Sequence, residues 1–457
     1  MPISLESLTL RELHTAYREA RLDSVAVAQH CLTLARAAEP GLFTCLLEAR
    51  ALAEAHASRA RWHAGQPLGP LDGVPVVWKD LFDVAGTPTT AASALRRNVP
   101  PAEQDAATVA ALTAAGAVSI GKTGLTEFAY SGLGLNPHYG TPRNRRSTDA
   151  HRSPGGSSSG SAVAVDAGMA LIGMGTDTGG SVRIPAAFNG LVGFKPSIGR
   201  VDATGVFPLS ATLDVIGPMA KTVQDCAWAY YALLGTTAPE LQLPPPGTLR
   251  VVVPSNVVLD EAQPEVLARF DAVLARLRAA GAQVQQMHIP AFDAVQALTA
   301  QHGTIPAAEA YVLHRAIVDG PDAARLDPRV LARIARGSTM MASDLVILQQ
   351  ARVRLMAQTR ALVGDAWLLF PTVVHVAPLV APLDADHALF NQTNVRTLRN
   401  TALLNVLDWC GVSLPMGHGE AGMPLGVLIS GPAGTEDALL PAAAALEQLL
   451  AVRKHHV

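Results

Sequence analysis

Two turns rich in glycine and serine carry the residue types best suited to chemistry. They are Gly155-Gly156-Ser157-Ser158-Ser159-Gly160-Ser161 and Gly175-Thr176-Asp177-Thr178-Gly179-Gly180-Ser181. Ser157 and Ser181 stand 24 positions apart, which one helix and one strand fill, so both turns can meet at one edge of a sheet. The second turn offers successive backbone N–H groups at Thr178, Gly179, Gly180 and Ser181. Glycines let such a turn curl until its N–H groups converge on an anion, as an oxyanion hole requires. A serine nucleophile also needs a base, and no histidine is an obvious partner. Lys79 is the candidate: it ends the apolar run Val76-Val77-Trp78, where desolvation would lower a lysine pKa toward neutrality. A lysine at a strand end can also snorkel to the surface; the two serine turns favour the chemical role.

Three other patterns match a motif and miss its context. Gly116–Thr123 satisfies the P-loop expression G-x-x-x-x-G-K-[ST]. A phosphate-binding loop follows a strand and opens a helix, whereas here a helix precedes and the middle residues form an apolar strand. Ser119-Ile120-Gly121-Lys122 matches S-x-x-K, but its serine lies within that same strand. Gly156–Gly160 matches G-x-S-x-G, which would make Ser158 the nucleophile, yet Asp149–Pro154 before it is not strand-like. The 14 histidines are scattered, and no HExxH pair suggests a metal.

The elements that must position these residues follow from periodicity and punctuation. Residues 5–38 read as two amphipathic helices with a break at Arg21–Ser24, Ser24 being a plausible N-cap. Residues 47–64 form a further helix. Gly73–Lys79 reads as a strand, Ala106–Ala115 as a helix and Ala117–Ile120 as a strand. Ser158–Ala167 reads as a helix, Met169–Met174 as a buried strand and Gly175–Ser181 as a turn. Alternating strands and helices with polar turns at their junctions are α/β texture, in which such junctions carry the chemistry. Residues 237–247 form a Pro-rich connector, followed by strand, helix and strand over Leu249–Val253, Gln263–Ala280 and Gln283–Ile289. Residues 291–365 are mostly helical. Val412–Gly431 alternates short strands with turns, and a helix at Ala438–Val452 closes the chain.

With the serine turns and Lys79 in place, the sequence resembles the amidase signature family. Gly155–Ser161 together with Gly175–Arg183 looks like that family's hallmark, and Lys79 within Gly73–Asp80 fits its lysine. Flanking stretches fit as well, among them Gly140-Thr141-Pro142-Arg143-Asn144, Gly193-Phe194-Lys195-Pro196, Asp214–Met219 and Gly422–Val427. The match is strong over about 70–235 and 410–432 and weak over about 290–400; Asn189 departs from the small or Cys residue common there. The resemblance implies one α/β domain over 1–457, with a central mixed sheet covered by helices on both faces. It implies Ser181 as nucleophile and Ser157 as the bridge to Lys79, with a cis Gly156–Ser157 peptide. Ser158, Asp177 and Arg183 would brace the turns. Neither metal nor organic cofactor is required.

Composition limits the alternatives. The chain has 457 residues, 49% of them hydrophobic, and a formal charge of −3 with both signs scattered. That argues against disorder and against nucleic-acid or polybasic membrane partners. The four cysteines form no CxxC and read as reduced, mostly buried thiols, and the N-terminus carries no signal-like pattern. The expectation is a cytoplasmic monomer or homodimer acting on a small-molecule amide. Pocket walls are expected from Phe128, Tyr130, Ser131, Gly132 and Leu133, and from 291–400, where Met340-Met341, Val346 and Leu348 suggest an apolar or aryl site. Carbamate or ester cleavage by the same triad is one alternative. A glutamine amidotransferase subunit for tRNA-linked amidation is another.

Overall fold

The computed structural model describes residues 5–237 and 239–451. Its backbone is an eleven-stranded mixed sheet. In chain order the strands are β1 (Phe43–Leu46), β2 (Pro75–Lys79), β3 (Val118–Thr123), β4 (Ile172–Asp177), β5 (Val192–Lys195), β6 (Val215–Ala220), β7 (Arg250–Pro254), β8 (Gln283–Met287), β9 (Trp367–Pro371), β10 (Trp409–His418) and β11 (Pro424–Pro432). Their spatial order is β1-β3-β2-β4-β6-β5-β10-β11-β9-β7-β8. β2 runs parallel to both β3 and β4, with Trp78 opposite Lys122 on one side and Met174 on the other. From β4 across to β9 neighbouring strands are antiparallel. β7 is parallel to β9 and to β8.

The two faces of the sheet are covered separately. Alternate residues of a strand point to opposite faces. On β7, Val251 and Val253 join one buried cluster and Val252 another; on β9, Leu369 divides from Leu368 and Phe370 in the same way. Phe270 and Leu277 from the helix Pro264–Ala279, and Leu439 and Leu440 from the helix Glu436–Leu450, fill the first cluster. Phe292, Leu355, Leu403 and Leu404 from three other helices fill the second. The α/β fold with helices on both faces is thus the one expected. The edge strand β8 exposes Gln283, Gln285 and Gln286, a polar border that discourages further pairing.

Local boundaries differ in instructive ways. Asp23, not Ser24, caps the second helix: its carboxylate accepts from the N–H groups of Val25 and Ala26. Ser24 instead donates to the Ala55 carbonyl at 2.8 Å, tying two helices. β4 extends to Asp177, three residues into the expected turn. The short strands read over Val412–Gly431 are one long hairpin of β10 and β11. The region 291–365 folds as four helices, Pro290–His302, Ile305–Val318, Pro328–Ala335 and Ala342–Val363. The end of the last expected helix at Val452, the first four residues and position 238 of the connector lie outside the described residues.

Candidate active site

The parallel pairing of β2 with β4 brings their C-terminal ends side by side. Lys79 is the last residue of β2, and Thr176 and Asp177 end β4. The Lys79 Nζ lies 2.7 Å from Ser157 Oγ and 2.8 Å from Thr176 Oγ1. The lysine is completely buried beneath the two serine turns. Burial disfavours its charge and lowers its pKa to about 7, against the opposing pull of Asp214 and Asp177. At that value the free amine is available near neutral pH. Ser157 follows a cis peptide bond from Gly156 and sits just before the helix Ser159–Asp166.

Ser181 ends the second turn and is 4% exposed. The two turns touch where the Ser158 N–H donates to the Ser181 carbonyl at 3.3 Å. Among the described residues, the N–H groups of Thr178, Gly179 and Ser181 donate to no protein acceptor. Gly180 differs from the expected set of four. Its N–H is committed to Asp177 Oδ1 at 2.8 Å. Gly180 has φ +132°, and a Cβ there would lie 2.1 Å from Thr401 Oγ1, so only glycine lets the turn close against the helix His387–Val406.

Asp177 is the hub that holds this turn. It accepts from the Val182 N–H at 3.1 Å, from Arg183 Nε at 3.0 Å and Nη2 at 2.9 Å, and from Asn405 Nδ2 at 2.9 Å. Burial alone would raise its carboxyl pKa. The Arg183 charge and these hydrogen bonds outweigh burial and hold it well below the usual carboxylate range. The expected bracing pair Asp177 and Arg183 is therefore a buried ion pair. Ser158 is also buried, its Oγ 3.4 Å from the Thr176 carbonyl, and it does not reach the cavity described below. Lys122 of the P-loop expression is sealed in the sheet and paired with Asp80 at 2.6 Å, and the helix Ala107–Ala114 precedes its strand.

Several contributors escape sequence reasoning. The helix His387–Val406 turns a polar stripe toward the serine turns. Asn394 Oδ1 accepts from the Gly132 N–H at 2.8 Å, Thr401 Oγ1 donates to the Gly179 carbonyl at 2.6 Å, and Asn405 binds Asp177. Buried Asn and Thr spaced at 394, 397, 401 and 405 are the signal, because a helix packed on an apolar core would carry aliphatics there. Asp214 is a second: it accepts from the Thr178 hydroxyl and from the N–H groups of Leu209 and Ser210. Thr176 is a third. Asn189, the departure noted above, donates to the carbonyls of Pro154 and Pro185, both at 2.7 Å, and so fastens the helix after Ser181 to the approach of the first turn.

A cavity of about 710 Å³ opens beside Ser181, Thr178 and Gly179. Of the five pocket residues expected, Tyr130 and Ser131 line it. Phe128, Gly132 and Leu133 do not, and the expectation is corrected for these three. Phe128 stacks on His314, with ring centroids 4.1 Å apart, and Leu133 packs against Leu135 and Phe390. Gly132 accepts from the Gly156 N–H at 2.8 Å and so supports the first serine turn from behind. The far wall comes from 291–400 as expected, with Met340 and Leu348 lining it, while Met341 and Val346 face outward. The wall is mainly apolar, and Arg333, Arg336, Arg352 and Arg399 line it too. Among the described residues, no cluster of His, Cys, Asp or Glu could hold a metal ion, and no helix is long and apolar enough to cross a membrane.

Comparison with known proteins agrees with this architecture. A family model described as Amidase matches residues 26–440. A 2-amino-5-chloromuconic acid deaminase from Comamonas testosteroni is 36% identical over 450 residues, covering 97% of this chain and 96% of that protein. A glutamyl-tRNA(Gln) amidotransferase subunit from Geobacter metallireducens is 31% identical, with 98% of each chain covered. A crystal structure of an amidase superposes with a TM-score of 0.84 at 31% identity, covering 97% of this chain and all of that one. By the extent of these matches, which take in the serine turns, Lys79 and the sheet that carries them, this chain belongs to the amidase signature family and is a hydrolase acting on amides.

Proposed function

We propose that the chain cleaves the C–N bond of small-molecule amides through a Ser181 acyl-enzyme, with Ser157 and Lys79 relaying the proton. The observation that carries this reading is the buried Lys79 amine 2.7 Å from Ser157, with its pKa lowered to about 7 by burial. Neutral Lys79 takes the Ser157 proton while Ser157 takes that of Ser181, and the Ser181 oxygen attacks the carbonyl carbon. The N–H groups of Thr178, Gly179 and Ser181 hold the resulting oxyanion. Collapse of the tetrahedral intermediate breaks the C–N bond. Ser157 donates a proton to the departing amine and recovers one from the Lys79 ammonium. Water then attacks the acyl carbon by the same relay, releasing the acid and restoring Ser181. Ester and carbamate substrates suit the same relay, since only the acyl and leaving groups differ.

The relatives widen the choice of substrate. The Comamonas protein is named for the deamination of an amino-substituted acid, so release of ammonia from such acids belongs in the assay beside amide cleavage. The Geobacter relative favours a second reading, in which the chain hydrolyses glutamine within an amidotransferase. Four free cysteines, three of them buried, fit a reducing cytoplasmic setting. The test of the core proposal is labelling with a fluorophosphonate, read by peptide mass. The expected result is a single adduct on Ser181. An adduct on Ser158, with Ser181→Ala still active, would overturn the assignment.

A further inference from the structure

Resting on the amidase reading, we infer that the preferred substrates carry a carboxylate, bound by Arg333 and its neighbouring arginines on the cavity wall while Ser181 attacks the amide. The charges of the cavity are lopsided. Arg333, Arg336, Arg352 and Arg399 all line it, and none pairs with a carboxylate within the described residues. The one acidic side chain that lines it among the described residues, Asp344, is engaged by His302 at 2.8 Å. Arg352 and Arg399 spend part of their donor capacity on the carbonyls of Val406 and Asp260. The Arg336 side chain makes no hydrogen bond among the described residues, and Arg333 leaves its buried Nε without a partner.

Arg333 is the most telling of the four. Its guanidinium lies over the Tyr130 ring at 4.6 Å from the centroid, and Tyr130 itself lines the cavity near Ser131. Contact with the ring face satisfies none of its N–H donors, so the fork stays available for an acceptor. A guanidinium fork suits a carboxylate in two-point geometry, and in a partly enclosed cavity that pairing outweighs its screened equivalent in water. An apolar acyl substrate would leave these donors facing hydrocarbon with nothing to bind, which is the arrangement that discriminates most strongly against a ligand lacking the polar group. Leu209, Leu213, Leu348 and Leu398, which also line the cavity, suit the carbon chain that separates the two ends of such a substrate.

The test uses matched pairs: succinamate, glutaramate and adipamate against butanamide, pentanamide and hexanamide. Turnover is measured on the wild type, and binding by calorimetry on Ser181→Ala, which reads the site without chemistry. At least one acid should exceed its neutral partner by roughly tenfold or more in kcat/KM, mostly through KM, and in affinity. Arg333→Met should collapse that ratio toward one, and Arg333→Lys should restore part of it. The exposed Arg354, which does not line the cavity, provides the charge control: Arg354→Met should keep the ratio. If Arg333→Met does not fold, Arg336→Met and the fall of the ratio in high salt carry the same information. Equal or weaker binding of every acid overturns the inference, as does a ratio that survives both arginine changes. Failure of the amidase reading looks different: acids bind selectively, yet no amide is turned over and Ser181 is not labelled.

Discussion

The pH dependence of turnover gives the sharpest test of the role assigned to Lys79. Burial lowers its pKa from 10.5 to about 7, which corresponds to about 5 kcal/mol against the charged form. If the neutral amine is the base, kcat/KM follows the unprotonated fraction. A group titrating near 7 is about 9% neutral at pH 6 and about 91% neutral at pH 8, so kcat/KM rises about tenfold and then levels off. A lysine at its ordinary value would give about a hundredfold rise over that interval and about tenfold more by pH 9. The same burial has a thermodynamic signature. Between about 7 and 10.5 the unfolded chain binds the proton and the folded chain does not, so stability rises with pH across that window. Lys79→Met removes this dependence and should gain stability relative to wild type as pH falls from 10 to 6, with about 5 kcal/mol as the ceiling. The assays are pH–rate profiles on a matched amide and ester, and urea unfolding at both pH values. Lys79→Ala should lose several orders of magnitude on the amide and less on the ester, because an alkoxide leaves more readily than an amine. Near-normal amide turnover by that variant, with an unchanged alkaline limb, would refute the reasoning.

Three further outcomes follow from particular contacts. Calorimetric titration with ATP and Mg²⁺ should be flat, because Lys122 is sealed against Asp80; Lys122→Ala should instead cost about 3–5 kcal/mol in urea unfolding, by stranding a buried carboxylate. Asn405→Leu removes hydrogen bonds from both Asp177 and Arg183, and should lower unfolding stability by roughly 1–3 kcal/mol together with amide turnover. Gly180→Ala forces a side chain to within 2.1 Å of Thr401 Oγ1, and displacement of the turn should reduce kcat by roughly a hundredfold with the overall circular dichroism unchanged.

The sheet strands that carry the site were legible because each is short, fully buried and bounded by glycine or a polar turn. Pro75–Lys79 is the clearest case, whereas the strand read over Ala117–Ile120 runs on to Thr123. Boundaries failed where a better competitor lay next door. Asp23 and Ser24 are both good caps, and only the tertiary contact to Ala55 decides between them. The serine turns and Lys79 stood out because glycine and serine clusters between periodic segments are unusual. Asn394, Thr401 and Asn405 did not, since an isolated Asn or Thr on a helix reads as solvent-facing until its neighbour across the chain is known. The cavity arginines were missed for a related reason. Arg333, Arg352 and Arg399 sit at spacings that suit the outer face of an amphipathic helix, and nothing local reveals that their helices turn those faces toward one space. Phe128 and Leu133 were misplaced because only the middle of that segment, Ala129 to Ser131, reaches the cavity, while Phe128 and Leu133 on either side pack into the buried core.

The helix His387–Val406 separates two duties around its circumference. Thr401 and Asn405 grip the second serine turn and Asn394 holds the Gly132 N–H beside it, while the neighbouring face presents Val395, Leu398, Arg399, Ala402 and Val406 to the cavity. A substitution on the second face changes what the enzyme can accept without touching a hydrogen bond of the first. New specificities can therefore be reached by single steps that leave the machinery intact, and a library randomised at those five positions should yield altered selectivity far more often than inactive protein.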